Sequence, residues 1–196
     1  AKRGYLAWQL LSRNRYTKTV TCLLLDAFKY KDNYYFISYA YDTDFFYYLR
    51  KPHYRHEIFI YLLQIANALT VLHSYDLAHL DIKPENILLR GSYAVLSDFA
   101  TVHKVVGTQT IEKQHGTYEY CAPEMLEYKI SKKSDVFSLT KTAFVALQGR
   151  FPNTETLHGY GWELSDLYMS GMEKNLEYRC NSIELYKKLY KCSLNY

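Results

Sequence analysis

The chain has no paired cysteines, no block of like charge, no unbroken membrane-length apolar run and no internal repeat, and each gap removes a class of protein. Cys22, Cys121, Cys180 and Cys192 are widely scattered, with no C-x-x-C step. That excludes a zinc signature and a dense disulfide scaffold, and makes a reducing, intracellular and cytoplasmic setting the expectation. The net charge of +4 leans mildly toward acidic partners. No run of five or six like charges marks an arm for nucleic acid, so no nucleic-acid partner is expected. The most apolar stretch, Ile58 to Leu72, is interrupted by Gln64, Asn67 and Thr70, which reads as a buried helix and not a membrane span. Ala1-Lys2-Arg3-Gly4 and the following Tyr5 to Leu11 are too short and too polar-flanked for a signal peptide. No low-complexity linker divides the chain.

What is present suits one domain. A length of 196 residues can bury a real core, and 48% hydrophobic with 22% charged residues describes an ordinary globular chain. The 22 tyrosines are far above average usage, and are read as coding bias in preference to an adhesive surface. Leu6, Leu10 and Leu11 lie at helical spacing within residues 1–15. Val20 to Phe28 and Tyr34 to Ala40 are β-branched and aromatic, with Lys31-Asp32-Asn33 as the turn of a hairpin. Asp42-Thr43-Asp44 offers N-cap chemistry for a short helix ending before Pro52. A long helix is expected from His56 to Tyr75, short strands over Asn86 to Leu89 and Ala94 to Ser97, and a second buried helix capped by Ser134-Asp135 and stopped at Gly149. Further helices are expected over Trp162 to Ser170 and Ser182 to Tyr190.

The chemistry concentrates in His79-Leu80-Asp81-Ile82-Lys83-Pro84-Glu85-Asn86. Asp81 is followed five residues later by Asn86, with Lys83 between them, so one turn of loop can aim a carboxylate, an ammonium and an amide oxygen at one phosphate and its metal. Asp98-Phe99-Ala100 begins 17 residues after Asp81, and Ala122-Pro123-Glu124 lies 24 residues further on. Three motifs in this order at these spacings resemble the eukaryotic-type Ser/Thr protein kinases. The resemblance covers residues 20–192 and implies an α+β, protein-kinase-like fold: a mainly helical C-lobe over residues 39–196, and a truncated, β-containing N-lobe remnant (an αC-like helix plus a hairpin) over residues 1–38.

The same resemblance implies Mg-ATP-dependent phosphoryl transfer to a protein hydroxyl, with ATP and Mg²⁺ as cofactors and a protein substrate or partner. Asp81 would orient the attacking hydroxyl and accept its proton, and Lys83 would neutralise charge on the transferred group. Asn86 and Asp98 would hold Mg²⁺ and, with Lys83, the nucleotide phosphates. Thr117, within Gly116-Thr117-Tyr118-Glu119-Tyr120-Cys121, matches the threonine that bonds the catalytic loop. Asp135 matches the helix-start aspartate that holds the loop backbone, and Arg179 would pair with Glu124. His79 is expected to be structural, and Glu85 and Glu119 solvated.

Departures from the pattern point the other way. Ala100 replaces the glycine of Asp-Phe-Gly and should restrict a flip of the aspartate. Leu80 replaces an arginine, so phosphorylation at Thr108 or Thr110 should not be needed to order residues 101–121. No G-x-G-x-x-G loop and no Val-Ala-x-Lys strand occur, and no acidic residue precedes Asp26, where the helix over residues 4–14 should carry a glutamate. Gln9 or Ala7 stands in its place. Three readings stay open: an enzyme whose roof over ATP lies in an upstream segment, a pseudokinase serving as a binding or scaffolding module, and a partner chain that completes the N-lobe.

Overall fold

A computed structural model describes Trp8, Gln9, Leu11, Ser12 and residues 20–152 and 160–196. The four residues of the first group are helical, while the rest of the helix expected over residues 4–14 lies outside the described residues. Next comes a hairpin, β1 (Leu24–Tyr30) and β2 (Asn33–Ser38), in register from Ala27↔Phe36 to Tyr30↔Asn33. Lys31, with φ 52°, closes its turn. The strands begin and end a few residues from the expected bounds, and a register irregularity lies between Leu24 and Asp26. Both faces of this two-stranded sheet carry exposed aromatics, among them Phe28 stacked on Tyr35. The indole Nε1 of Trp8 donates to the Cys22 carbonyl, and Cys22 N–H donates to Leu96 O at 2.7 Å, tying this end to the remainder.

The larger part is built on two helices. α1 (Phe45–Leu49) is short and is capped by Asp44, whose carboxylate accepts from Tyr47 N–H at 2.8 Å. α2 (Arg55–Ser74) comes next, entered through Glu57, which accepts from Tyr54 N–H and from the Tyr48 hydroxyl at 2.6 Å. By length and composition α2 could cross a membrane. Here Ile58, Leu62, Ile65, Leu69 and Leu72 are instead buried in the protein core, which answers the apolar run in the sequence.

A three-stranded antiparallel sheet of β3 (Thr43–Asp44), β5 (Ile87–Arg90) and β6 (Tyr93–Leu96) packs against α2. β4 (Leu77–Ala78) pairs with β7 (His103–Lys104), and β8 (Gln109–Thr110) with β9 (Lys129–Ile130). Single 3₁₀ turns cover Pro84–Asn86 and Phe99–Thr101. Past the short α3 (Pro123–Leu126) runs α4 (Lys132–Gln148), the second core helix, followed by α5 (Trp162–Gly171) and α6 (Ser182–Ser193).

The cap of α4 corrects an expectation. Ser131, not Ser134-Asp135, is the N-cap: its backbone is extended and its hydroxyl accepts from Lys133 N–H. Ser134 closes the box by accepting from Ser131 N–H at 3.0 Å, which leaves the Asp135 carboxylate for the backbone of His79 and Leu80. Either serine suits the pattern, so local sequence could not choose between them. At the other end Gly149 takes φ 68° and its N–H bonds Val145 O, a left-handed stop as expected.

Candidate active site

The loop between β4 and the first 3₁₀ turn is held from below by a single carboxylate. Asp135, fully buried, accepts from the N–H of His79 at 2.8 Å, the N–H of Leu80 at 2.7 Å and Nε2 of His73 at 2.9 Å. Three donors satisfy a charge that would otherwise be costly to bury. Leu80 accordingly sits at φ 67°, an uncommon conformation for a leucine, maintained by those bonds. His79 is structural, as expected. A carbonyl can only accept, so His79 Nε2 donates to Ser97 O at 2.8 Å, and its Nδ1 faces the Asp81 N–H at 3.4 Å.

Above this support the predicted residues come together. The Thr117 hydroxyl donates to one oxygen of Asp81 at 2.8 Å and accepts from Lys83 Nζ at 2.6 Å. Lys83 Nζ lies 3.4 Å from the other Asp81 oxygen. Both hydrogens of the Asn86 amide go to Asp81, one to its main-chain carbonyl at 2.8 Å and one to its carboxylate at 2.9 Å. Asn86 therefore turns its amide oxygen away from Asp81 as an acceptor, and the third hydrogen of Lys83 is left for a ligand.

Asp98 is joined to this group through the chain. Ser97 donates both its N–H and its hydroxyl to Asn86 O, at 2.9 and 3.0 Å, so the residue before Asp98 is tied to the residue that would share a metal with it. Asp98 takes φ 54° and is exposed, and among the described residues its carboxylate accepts only from Ala100 N–H at 3.2 Å. The donor set, an exposed carboxylate and an amide oxygen not engaged with Asp81, suits a hard cation such as Mg²⁺ that keeps several of its waters. The phosphate end fits less well. Among the described residues before Tyr39 the only lysines are Lys29 and Lys31, near the hairpin tip and lying over the rings of Tyr34 and Tyr30.

Some contributors escaped the sequence reading. Gly116 adopts φ 83°, and a Cβ there would come within 2.6 Å of Leu80 O, so only glycine lets Thr117 reach the loop. Thr101 donates its hydroxyl to His79 O at 2.8 Å. A glycine immediately before the threonine was the available signal for the first, and nothing local signalled the second. Cys121 records the charge nearby: burial, and then the Asp81 carboxylate, push its thiol up to about 11.

A family model for the protein kinase domain matches residues 7–184. The chain belongs to the eukaryotic-type protein kinase family. A Wee1-like protein kinase from Arabidopsis thaliana is 30% identical over 145 residues, covering 66% of this chain and 28% of that protein. Serine/threonine-protein kinase 17A of Oryctolagus cuniculus is 36% identical over 94 residues, 45% of this chain and 24% of its own. Myosin light chain kinase 2, skeletal/cardiac muscle, of Rattus norvegicus is 32% identical over 108 residues, 50% of this chain and 18% of its own. The chain thus spans less than a third of the length of each of these relatives.

Against the kinase pattern, Ala100 is accommodated without strain, while Leu80 is held at its positive φ by Asp135. The positive φ falls on Asp98 and not on Ala100, so alanine fits where the family has glycine. Phe99 is buried, with its ring 5.5 Å from that of His79 and 5.7 Å from that of Trp8. Leu80, in place of the arginine, is buried with Val105, Cys121, Ala122, Met125 and Ile130.

Proposed function

We propose that this kinase domain transfers a phosphoryl group from Mg-ATP to a serine or threonine hydroxyl of a protein. The observation carrying this reading is the closed cluster of Asp81, Thr117, Lys83 and Asn86, since a fold retained only for shape has no use for four mutually satisfied polar groups on a partly open surface. The Asp81 carboxylate, fixed by Thr117 and Asn86, orients the substrate hydroxyl and accepts its proton. Lys83 directs its remaining hydrogen at the oxygens of the transferred group. Asp98 and the Asn86 amide oxygen would hold Mg²⁺, which supplies positive charge to the phosphates. Residues 1–38 are read as the N-lobe portion in this chain and residues 39–196 as the C-lobe.

A specific observation favours a second reading, that of a pseudokinase used for binding. No acidic residue stands among the described helical residues Trp8, Gln9, Leu11 and Ser12, and no described cation stands where the phosphates of ATP need one. In the kinase reading that clamp comes from outside the described residues, whether from elsewhere in this chain, an upstream segment or a partner chain.

Two measurements separate the readings. Transfer of labelled phosphate from ATP to a generic basic protein should fall by about a hundredfold or more in Asp81→Asn with an unchanged melting curve. Mg-ATP at a hundredfold excess over its Kd should stabilise the protein by about 2–3 kcal/mol, and Asp98→Asn should lose most of that gain. No transfer and no nucleotide effect would establish the binding module.

A further inference from the structure

A cavity of about 520 Å³ opens where α2 ends and where α4 and α6 begin, and none of Asp81, Lys83, Asn86, Asp98 and Thr117 lines it. Its lining is mainly apolar. Val136 of α4 is buried, Leu176 is half-buried, and Ile183 of α6 stays 53% exposed although it borders a concave site. A cavity of this size with such walls gains by taking up an apolar body.

Two ammonium groups meet these walls, and only one has a counter-charge. Lys132 Nζ donates to the Asp76 carboxylate at 2.7 Å and to His73 O at 3.2 Å. Lys133 Nζ donates to the main-chain carbonyls of Leu176 and Glu177, at 2.7 and 3.2 Å, and forms no ion pair among the described residues. Two carbonyls satisfy two of its hydrogens, but they leave its charge unbalanced and its third hydrogen for another acceptor. Glu177 carries the only carboxylate among the lining residues, and it is exposed. A half-buried cation beside apolar walls favours an anion over a neutral or cationic head. The first turns of α4 and α6 border the same space and add field of the same sign.

We propose that this cavity binds a small amphipathic anion, an alkyl chain ending in one carboxylate, with the head on Lys133 and the chain against Val136, Leu176 and Ile183. Gly107 and Thr108 complete the wall, so the ligand also bears on the stretch between β7 and β8. Occupancy thereby holds the middle of the segment over residues 101–121. The binding goes beyond phosphoryl transfer and needs neither ATP nor Asp81.

The test is isothermal titration calorimetry with octanoate, 1-octanol and octylammonium, together with hydrogen exchange. Octanoate should bind about tenfold more tightly than 1-octanol, and octylammonium more weakly than either. Hexanoate, shorter by two methylenes, should bind about tenfold more weakly than octanoate. Lys133→Met keeps the aliphatic stem and should bring octanoate down to the affinity of 1-octanol, while Lys133→Arg should keep the discrimination. Ile183→Ser, at an exposed position with no part in the core, should weaken octanoate and 1-octanol alike. Octanoate should also slow exchange across residues 106–109 in the parent. Equal affinity for octanoate and 1-octanol, variants that bind as the parent does, or binding with no slowing at residues 106–109 would each overturn the proposal. So would a concentration-dependent dimer lost in Ile183→Ser, which would assign the cavity to a second copy. Sedimentation with phosphatidylserine vesicles that depends on Ile183, without saturable octanoate binding, would overturn it in favour of a membrane surface.

Discussion

Arg179 places all five of its N–H groups on acceptors although it is only 1% exposed. Two go to the Glu124 carboxylate, at 2.7 and 2.9 Å, and the others to the carbonyls of Glu173, Lys133 and Lys174. Glu124 also accepts from the Ser134 hydroxyl, and the guanidinium lies 5.0 Å from the Phe137 ring centroid. The pair joins α3 to the loop before α6, as the two residues' places in the sequence implied. Removing one partner strands the other charge in the core, so Arg179→Ala should cost about 3–5 kcal/mol. A melting curve like that of the parent would remove this pair from the account of stability. At this scale the spacing from Asp81 to Asn86 was legible because one loop turn carries both. Gly116 was not, because its necessity comes from a close approach to Leu80, a residue far away in sequence.

Elements decide how the segment from residue 101 to residue 121 is held. Its start is pinned by β7 on β4 and by Val105 N–H on Asp76 O at 2.6 Å, and its middle by β8 on β9. Between these, Leu80 fills a satellite core with Val105, Cys121 and Met125, where an arginine would have waited for a phosphate. Order here comes from apolar packing, so phosphatase treatment should leave hydrogen exchange across the segment unchanged. Leu80→Ala should quicken that exchange and cost about 2–5 kcal/mol. Faster exchange after phosphatase treatment would show that a phosphate at Thr108 or Thr110 is needed after all. Helices such as α2 were readable within a residue or two, since their apolar period and flanking caps are local. The start of α4 was not, because Ser131 and Ser134 differ only in which one the chain extends.

Across the whole molecule the four cysteines are free and buried, in agreement with their scatter in the sequence. Burial first, and nearby carboxylates second, push the thiols of Cys121 and Cys192 from an ordinary 9.0 for cysteine up to about 11. The unfolded thiols release their protons near 9, while the folded ones keep theirs. Their contribution to stability is therefore complete below pH 9 and is lost as the pH rises toward 11. Under reducing conditions the urea midpoint should be lower at about pH 10 than at about pH 8, and the difference should narrow in Cys121→Ala with Cys192→Ala. An undiminished difference in that double variant would mean other groups govern the alkaline limb.

The sequence by itself determined the family, the order of the helices, and the residue types that can do phosphoryl chemistry, because each is written in short motifs and local periodicities. Only the tertiary structure decided that Asp81, Lys83, Asn86 and Thr117 form one bonded cluster, that Leu80 packs instead of waiting for a phosphate, and that a largely apolar cavity adjoins Thr117. These depend on contacts between segments far apart in the chain, as in the 36-residue step from Asp81 to Thr117, and nothing in a local pattern encodes which distant surfaces will meet.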